Sequence, residues 1–434
     1  MSGHKENEAW KEAEVDSARA AGGSTGRRLA PFFKVMQGMP IAVDAFRYGK
    51  IPGVKAYLLT HAHSDHYTNL SSNWKNGPIY CSETTANLIK YMLRVDPKWV
   101  HPLPLDIPIV IPDTEVTVTL IEANHCPGSV LYLFEGRQTV NAGDSTFKSS
   151  YIGSPKIFRY LHCGDYRASP RHVLHPAVKG KNLDLIYMDT TYLDPKHCFP
   201  PQKQVIDACA ALARRHILGP QSNEDGLLTQ NAERILVVVG TYSIGKERIV
   251  KAIAQALCTK VYSDARKRAL LLCQDDPELH ALLTSDPLEG CVHLVPLQHV
   301  NSDKIGDYLA QFKGAYTRVL GFRPTGWTPD ARHHPLIARM QAQTFLSSSL
   351  TPMRNSNHKQ MLYGVPYSEH SSFFELTCFA LSVDWGKIIA TVNVGSQVGR
   401  SKMSRWFERW ELERRRRKEK GDSLIVPSRS DEYW

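Results

Sequence analysis

Nothing in this sequence pairs its cysteines. The nine are scattered singly, with no Cys-x-x-Cys and no even spacing, so the pattern gives no disulfide framework. Free thiols in a reducing compartment are expected, several of them in the core. Long hydrophobic runs are also missing. No apolar stretch approaches the roughly 20 residues of a membrane span, and residues 1–20 carry no apolar signal-peptide segment. An intracellular protein with no membrane partner is the expectation. No internal repeat is visible, and no N-terminal zinc-finger module is recognisable, so recruitment partners are not legible. Acidic residues are in deficit. Lys and Arg number 53 against 43 Asp and Glu, for a net charge of +10 and a pI near 9.0. That balance favours a polyanionic partner, nucleic acid being the commonest.

What is present is ordinary in bulk: 434 residues, 42% hydrophobic and 22% charged, enough for a large core and two domains. The informative stretch is His61-Ala62-His63-Ser64-Asp65-His66. It directly follows the apolar run 54–59, which reads as a buried strand delivering a loop. Imidazole nitrogen and carboxylate oxygen form the donor set expected for zinc. Four such residues are too many for one catalytic ion that keeps an open position. The economical arrangement is two adjacent ions, with His61 and His63 on one and Asp65 and His66 on the other.

Further ligands come in order along the chain. His125 lies between a strand and the Pro127-Gly128 turn, and Asp165 follows Gly164 after the apolar residues 158–161. A carboxylate can bridge two cations, which suits Asp165. Asp144, after Gly143, offers the same pattern, and chain position alone does not separate the two. Cys126 and Cys163 lie beside these candidates and are read as packing residues.

Residues 1–30 are polar, lack apolar periodicity and are expected to be disordered. Strand-like runs then dominate, with a helix over 82–95. From about 203 strands and helices alternate, as in an α/β unit. After 365 strand-like runs return, followed by a helix from 401 to about 420. The basic run Arg414-Arg415-Arg416-Arg417-Lys418 reads chiefly as a solvated helix face, with DNA contact or a nuclear import signal as the alternative.

The His61–His66 motif with His125 and Asp165 resembles the metallo-β-lactamase superfamily. Further stretches narrow the match: Val43-Asp44-Ala45-Phe46, residues 101–106, Met188-Asp189-Thr190-Thr191-Tyr192, residues 240–247, residues 322–327, residues 366–372 and residues 391–395. Together these resemble the β-CASP DNA cross-link repair exonucleases, over roughly residues 31–412. The resemblance implies an α/β fold, a metallo-β-lactamase αβ/βα sandwich with an inserted α/β β-CASP domain. It partitions the chain as 31–204, first part of the metallo-β-lactamase domain; 205–354, the β-CASP domain; 355–412, the return segment; and 413–434, a basic tail.

It also implies roles. His61, His63, His125 and Asp165 would hold one metal; Asp65, His66 and Asp165 would hold the other. Asp44 would orient the ligand loop, Asp189 matches the first β-CASP motif, and His370 matches the second and approaches the second metal. Asp165 is preferred to Asp144 because Gly164-Asp165-Tyr166-Arg167 resembles the family's Gly-Asp-Phe-Arg. On that alignment residues 141–160 form an extra segment. Val394 stands where RNA-processing members carry histidine, which tilts the substrate towards DNA. The implied function is zinc-dependent 5′→3′ exonuclease action on single- or double-stranded DNA with a 5′-phosphate end, in interstrand cross-link repair in the nucleus. An RNA endonuclease, a thioester or lactam hydrolase and a non-catalytic DNA-binding scaffold are the alternatives.

A second element bears on phosphate. Residues 240–246, Gly-Thr-Tyr-Ser-Ile-Gly-Lys, match a P-loop until Glu247 replaces the final hydroxyl residue that would hold magnesium. An ATPase is therefore not expected. A glycine-rich turn into a helix still presents N–H groups and a lysine to an anion, so Ser243 and Lys246 are candidates for substrate contact. Ser371 and Ser372 open a helix that could grip a terminal phosphate, or one serine could simply cap it. Arg323 and Trp327 could pair with phosphate and stack on a base.

Overall fold

The computed structural model describes residues 2–21, 26–219, 234–312, 314–326, 345–421 and 425–434. One compact unit comprises the chain up to Pro195 and from His370 on; the other is Lys196–Glu369.

The first unit is built on two sheets. Ile41–Val43, Ala56–Leu58, Ile79–Ser82 and Val100–Leu103 form a parallel four-stranded sheet in that order. The second has six strands. Ile109–Ile111, Val116–Glu122, Val130–Gly136 and Phe158–His162 run antiparallel, and Asn182–Met188 and Asp384–Ala390 then add in parallel. Period-two alternation sorts each strand's side chains to opposite faces. From Val130–Gly136, Val130, Tyr132 and Phe134 enter a core shared with Ile41, Val43 and Leu58 of the first sheet. Leu131 and Leu133 enter another core, shared with Phe373, Leu376, Phe379 and Trp410 from helices Phe373–Ser382 and Gln397–Glu419. Helix Glu83–Leu93 lies against Ile79–Ser82 and Val100–Leu103, started by the Ser82 hydroxyl, which accepts from Thr85 N–H. The layers are helix, sheet, sheet, helix: the αβ/βα sandwich.

The second unit carries a parallel six-stranded sheet with Ile235–Thr241 inside it, flanked by Val292–Pro296 and Arg318–Thr325. Both faces of Ile235–Thr241 are covered, which explains its unbroken apolar run. Val237 and Val239 meet helices Gln202–Leu218 and Glu247–Ala256, while Leu236 and Val238 meet Ile305 and Val319 on the other side. The sequence placed this insertion at 205–354. Its compact extent is wider because Gln360–Pro366 pairs along Arg318–Thr325 and belongs to the same sheet.

Two elements differ from expectation. Within 1–30, expected to be disordered, Ser2–Ala21 forms a helix. Its support is tertiary rather than periodic: Ala9 and Trp10 are buried, Trp10 stacks on Phe33, and Glu14 pairs with Arg400 at 2.6 Å. The extra segment 141–160 helps receive this helix, since Glu12 accepts from the Ser145 hydroxyl and from Thr146 N–H. The basic run 414–418 ends helix Gln397–Glu419, as the sequence suggests, but it is not wholly a solvated face. Arg414 is buried, donating to the carbonyls of Val383 and Trp385.

Candidate metal centre

In the first unit, the proposed ligands other than His370, together with Asp44 and Asp189, leave the C-terminal ends of strands. Asp44 follows Ile41–Val43, the 61–66 loop follows Ala56–Leu58, His125 follows Val116–Glu122, Asp165 follows Phe158–His162 and Asp189 follows Asn182–Met188. Sharp turns aim them inwards. Asp44 and Asn124 have left-handed backbones, with φ of 49° and 55°. Gly164 must be glycine: its φ is +55°, and a Cβ there would lie 2.8 Å from Cβ of Thr60.

Three imidazole nitrogens converge. His61 Nε2 is 2.9 Å from His63 Nδ1, which is 3.1 Å from His125 Nε2. Asp165 faces the same space, with Oδ2 3.2 Å from His66 Nε2 and 4.0 Å from His370 Nε2. Three sets of ligand atoms lie within 4.8 Å of one another: His61, His63, His125 and Cys126; His61, His66 and Asp165; His125, Asp165 and His370. Cys126, read from sequence as a packing residue, therefore reaches the edge of the cluster. Asp65 sits at the solvent side of the cluster, its side chain 77% exposed and its Oδ2 3.5 Å from His66 Nε2. Asp144 is elsewhere, accepting from Arg27 and from Ala30 N–H, so the alternative Gly-Asp pair fixes the chain at 27–30.

The surrounding hydrogen bonds set the tautomers. Thr60 donates its hydroxyl proton to Asp44 Oδ2 at 2.8 Å. It can then only accept from His61 Nδ1, at 2.9 Å, which leaves the His61 Nε2 lone pair facing the cluster. His66 Nδ1 donates to the same Asp44 oxygen at 2.8 Å, and His370 Nδ1 donates to Asp189 Oδ2 at 2.9 Å. Three rings thus have one nitrogen pinned from behind and the other turned to the cluster, the arrangement seen around metal-ligating histidines. Converging lone pairs repel unless a cation lies between them, and two imidazoles with a nearby carboxylate suit zinc-type coordination. The donor set fits a metal.

The buried groups also shift one another's protonation. Burial and the neighbouring imidazoles hold His61 well below its usual value. Burial would also lower His66, but Asp165 and Asp44 outweigh it and hold that ring well above. Burial would raise Asp165, yet His66, His370 and His61 keep it well below the usual carboxylate range. Sequence reasoning missed Thr60, and it missed Arg167, whose buried guanidinium pairs with buried Glu375 at 2.9 Å. Arg167 N–H also donates to the Ala123 carbonyl and its carbonyl accepts from Asn124, tying the Asp165 loop to the His125 loop. A threonine directly before the ligand motif and an arginine directly after Gly-Asp-Tyr were the available signals.

The proposed phosphate contacts fare differently. Ser371 Oγ accepts from Ala168 N–H and donates to the Tyr166 carbonyl. Ser372 caps helix Phe373–Ser382 in a reciprocal box with Glu375. Both hydroxyls are therefore engaged inside the fold, and capping accounts for Ser372. In the second unit the 240–247 turn already holds an anion. Glu369 accepts from Lys246 N–H at 2.7 Å, and its other oxygen lies 4.0 Å from Lys246 Nζ. Lys246 is 5% exposed, so its ammonium faces Glu369 and not solvent, contrary to its expected place at a substrate. Ser243 is exposed, its carbonyl accepting from Lys267. Arg323 Nε is buried without a hydrogen-bond partner, and Trp327 lies outside the described residues.

A sandwich whose strand ends bring four histidines to a shared aspartate, with His370 as the fifth, defines a metallo-β-lactamase-class protein. Residues 30–219 match the beta-lactamase superfamily domain, and residues 277–396 match the DNA repair metallo-beta-lactamase family. The DNA cross-link repair protein pso2/snm1 of Schizosaccharomyces pombe is 42% identical, over 90% of this chain and 66% of its own length. The DNA cross-link repair protein SNM1 of Arabidopsis thaliana is 37% identical, over 88% of this chain and 70% of its own. The 5′ exonuclease Apollo of Gallus gallus is 31% identical, over 83% and 63%. This chain belongs to the DNA cross-link repair family of β-CASP metallo-β-lactamases. It spans about two thirds of those relatives and 33% of the human DNA cross-link repair 1A protein.

Proposed function

We propose that this chain is a metal-dependent 5′→3′ exodeoxyribonuclease that prefers a 5′-phosphate end and acts in interstrand cross-link repair in the nucleus. The observation that carries this reading is the convergence of His61, His63 and His125 at 2.9–3.1 Å beside Asp165, which also faces His66 and His370. His61, His63, His125 and Asp165 would hold one ion, and Asp65, His66, Asp165 and His370 a second, with zinc favoured by the donors. Bound there, such ions polarise a phosphodiester and lower the pKa of water towards neutrality.

The chain's own groups do the rest. Asp44 and Thr60 hold the rings of His66 and His61, and Asp189 holds His370 with Nε2 towards Asp165, where its lone pair would serve the second ion. Val394 in place of histidine and the net charge of +10 support DNA over RNA or a small ester. The relative named as a 5′ exonuclease supports the direction. Support for the 5′-phosphate preference is the resemblance of residues 366–372 to that branch, not the engaged hydroxyls of Ser371 and Ser372.

The test is cleavage of single-stranded DNA carrying a 5′-phosphate and a 3′ fluorophore, with 5′-hydroxyl DNA, matched RNA, a chelator and Asp165→Asn protein in parallel. A chelator-sensitive ladder of shortening 3′-labelled products, lost in Asp165→Asn and weakened without the 5′-phosphate, is expected. Metal-loaded protein that leaves DNA intact overturns the reading.

A further inference from the structure

Helix Gln397–Glu419 is rich in cations, and the structure divides them into two groups. Arg400, Arg414, Arg415, Arg417 and Lys418 each pair with a nearby carboxylate. Lys402, Arg405 and Arg409 are exposed and form no ion pair among the described residues. Arg409 lies over the Trp406 ring at 4.7 Å, and Trp406 packs edge-on against Phe373, so this cation stands on an anchored platform.

The three share one face, because spacings of three and four residues repeat the helical turn. Arg416 continues the stripe seven residues beyond Arg409, exposed and 4.0 Å from Glu413. Seven residues advance about 10 Å along the axis, so Lys402 to Arg416 covers about 21 Å. One DNA strand passes about six phosphates over that length.

The helix starts beside the metal cluster. Asn393, four residues before Gln397, donates to the carbonyls of Thr190 and Thr191, and Thr190 donates to the Val392 carbonyl. That segment begins with Asp189, the partner of His370. Lys402 is one and a half turns into the helix.

We propose that the Lys402–Arg405–Arg409 face of helix Gln397–Glu419 is a sequence-independent binding surface for the DNA phosphate backbone. It takes its ligand from the nuclease reading above. The matching chemistry is a row of unpaired cations facing a row of phosphates, which places binding energy away from the reacting end.

The experiment measures binding by metal-loaded protein to a fluorescent, 5′-phosphorylated single strand of about 20 nucleotides with phosphorothioate linkages throughout, from about 50 to 200 mM salt. The variants are K402E/R405E/R409E and the milder K402Q/R405Q/R409Q, with K98E/K203E/K304E as an equal charge change elsewhere. Thermal unfolding shows that each variant is folded, and the glutamine set serves if charge reversal unfolds the helix. Three lost contacts at about 0.7 each should lower the slope of log K against log salt by about 2 and weaken binding about 10- to 100-fold near physiological salt. Stripe variants that match the control in affinity and slope overturn the proposal. Salt-dependent binding lost in the stripe variants, from a protein that cuts no DNA, sinks the nuclease reading and leaves the surface standing. Wild-type protein that binds no DNA at low salt removes both.

Discussion

Asp189 divides its two oxygens between two tasks. Oδ1 accepts from both the N–H and the hydroxyl of Thr191, at 2.9 and 2.6 Å, while Oδ2 accepts from His370 Nδ1 at 2.9 Å. In Asp189→Asn, keeping the amide oxygen with the two Thr191 donors turns the NH2 group to His370, forces its proton to Nε2 and gives up the longer contact from Tyr166 N–H at 3.4 Å. Nuclease activity should fall about 10- to 100-fold with little change in melting temperature. Equal activity in the two proteins would show that the His370 tautomer is unimportant.

Thr60 is the link between Asp44 and His61. Thr60→Val removes the hydroxyl at nearly constant volume, leaving His61 Nδ1 without its acceptor and Asp44 with two of its three donors, Thr60 N–H and His66. Metal affinity, read by competition with a chromophoric chelator, should drop about 10- to 100-fold. Thr60→Ser should recover most of it.

Arg167 and Glu375 form an ion pair with side chains 2% and 9% exposed. Arg167→Met strands a buried carboxylate and should destabilise the protein by about 3–5 kcal/mol in urea unfolding. Adding Glu375→Gln should recover part of the loss, because glutamine keeps the cap on Ser372 without a buried charge.

Acid should weaken the fold through two histidines outside the metal cluster. Burial pushes His172 down to about 4 and His162 down to about 3, whereas both titrate near 6.5 when unfolded. Below about 6.5 the unfolded chain therefore binds more protons than the folded one, so stability falls as pH falls. The slope is about 1.4 kcal/mol per pH unit for each ring until its folded value is reached. Unfolding free energies measured across that window should show this loss, and His172→Gln should show a shallower one.

Gly245 lies at the anion-holding turn with φ of +101°, and a Cβ there would lie 2.7 Å from Glu369 Oε2. Gly245→Ala should cost about 1–3 kcal/mol from backbone strain alone, with further loss from displacing the carboxylate. Limited proteolysis of the Lys196–Glu369 unit provides the readout, and unchanged resistance would contradict the packing described.

Local pattern carried much of this. His61-x-His63-x-Asp65-His66 after a buried strand, His125 before a Pro-Gly turn and Asp165 after a glycine were all legible, because ligand type and strand-end position are local properties. Choosing Asp165 over Asp144 was not a local matter, since both follow glycine and only the fold brings one of them to the histidines. Lys246 shows the opposite failure. Its turn reads as an anion site, and it is one, but the anion is Glu369, 123 residues away in the chain. Helix Ser2–Ala21 was missed because its stabilising partners, Phe33, Ser145 and Arg400, lie outside it. Residues 355–369 fall in the second compact unit because Gln360–Pro366 pairs with Arg318–Thr325, and membership in a sheet depends on a neighbouring strand.

The hydrogen bond between Asp189 and His370 joins residues 181 positions apart, with the whole Lys196–Glu369 unit threaded between them. During synthesis the residues up to Asp165 emerge long before His370, so a partial ligand cluster exists while its last member is still unmade. Drawing the two ends together closes a very long loop, a step whose entropy grows only logarithmically with length but which must wait for the intervening chain to collapse. The finished cluster is therefore a late event in the life of the polypeptide, and a nascent chain cannot present all of its side chains together until the detour is complete.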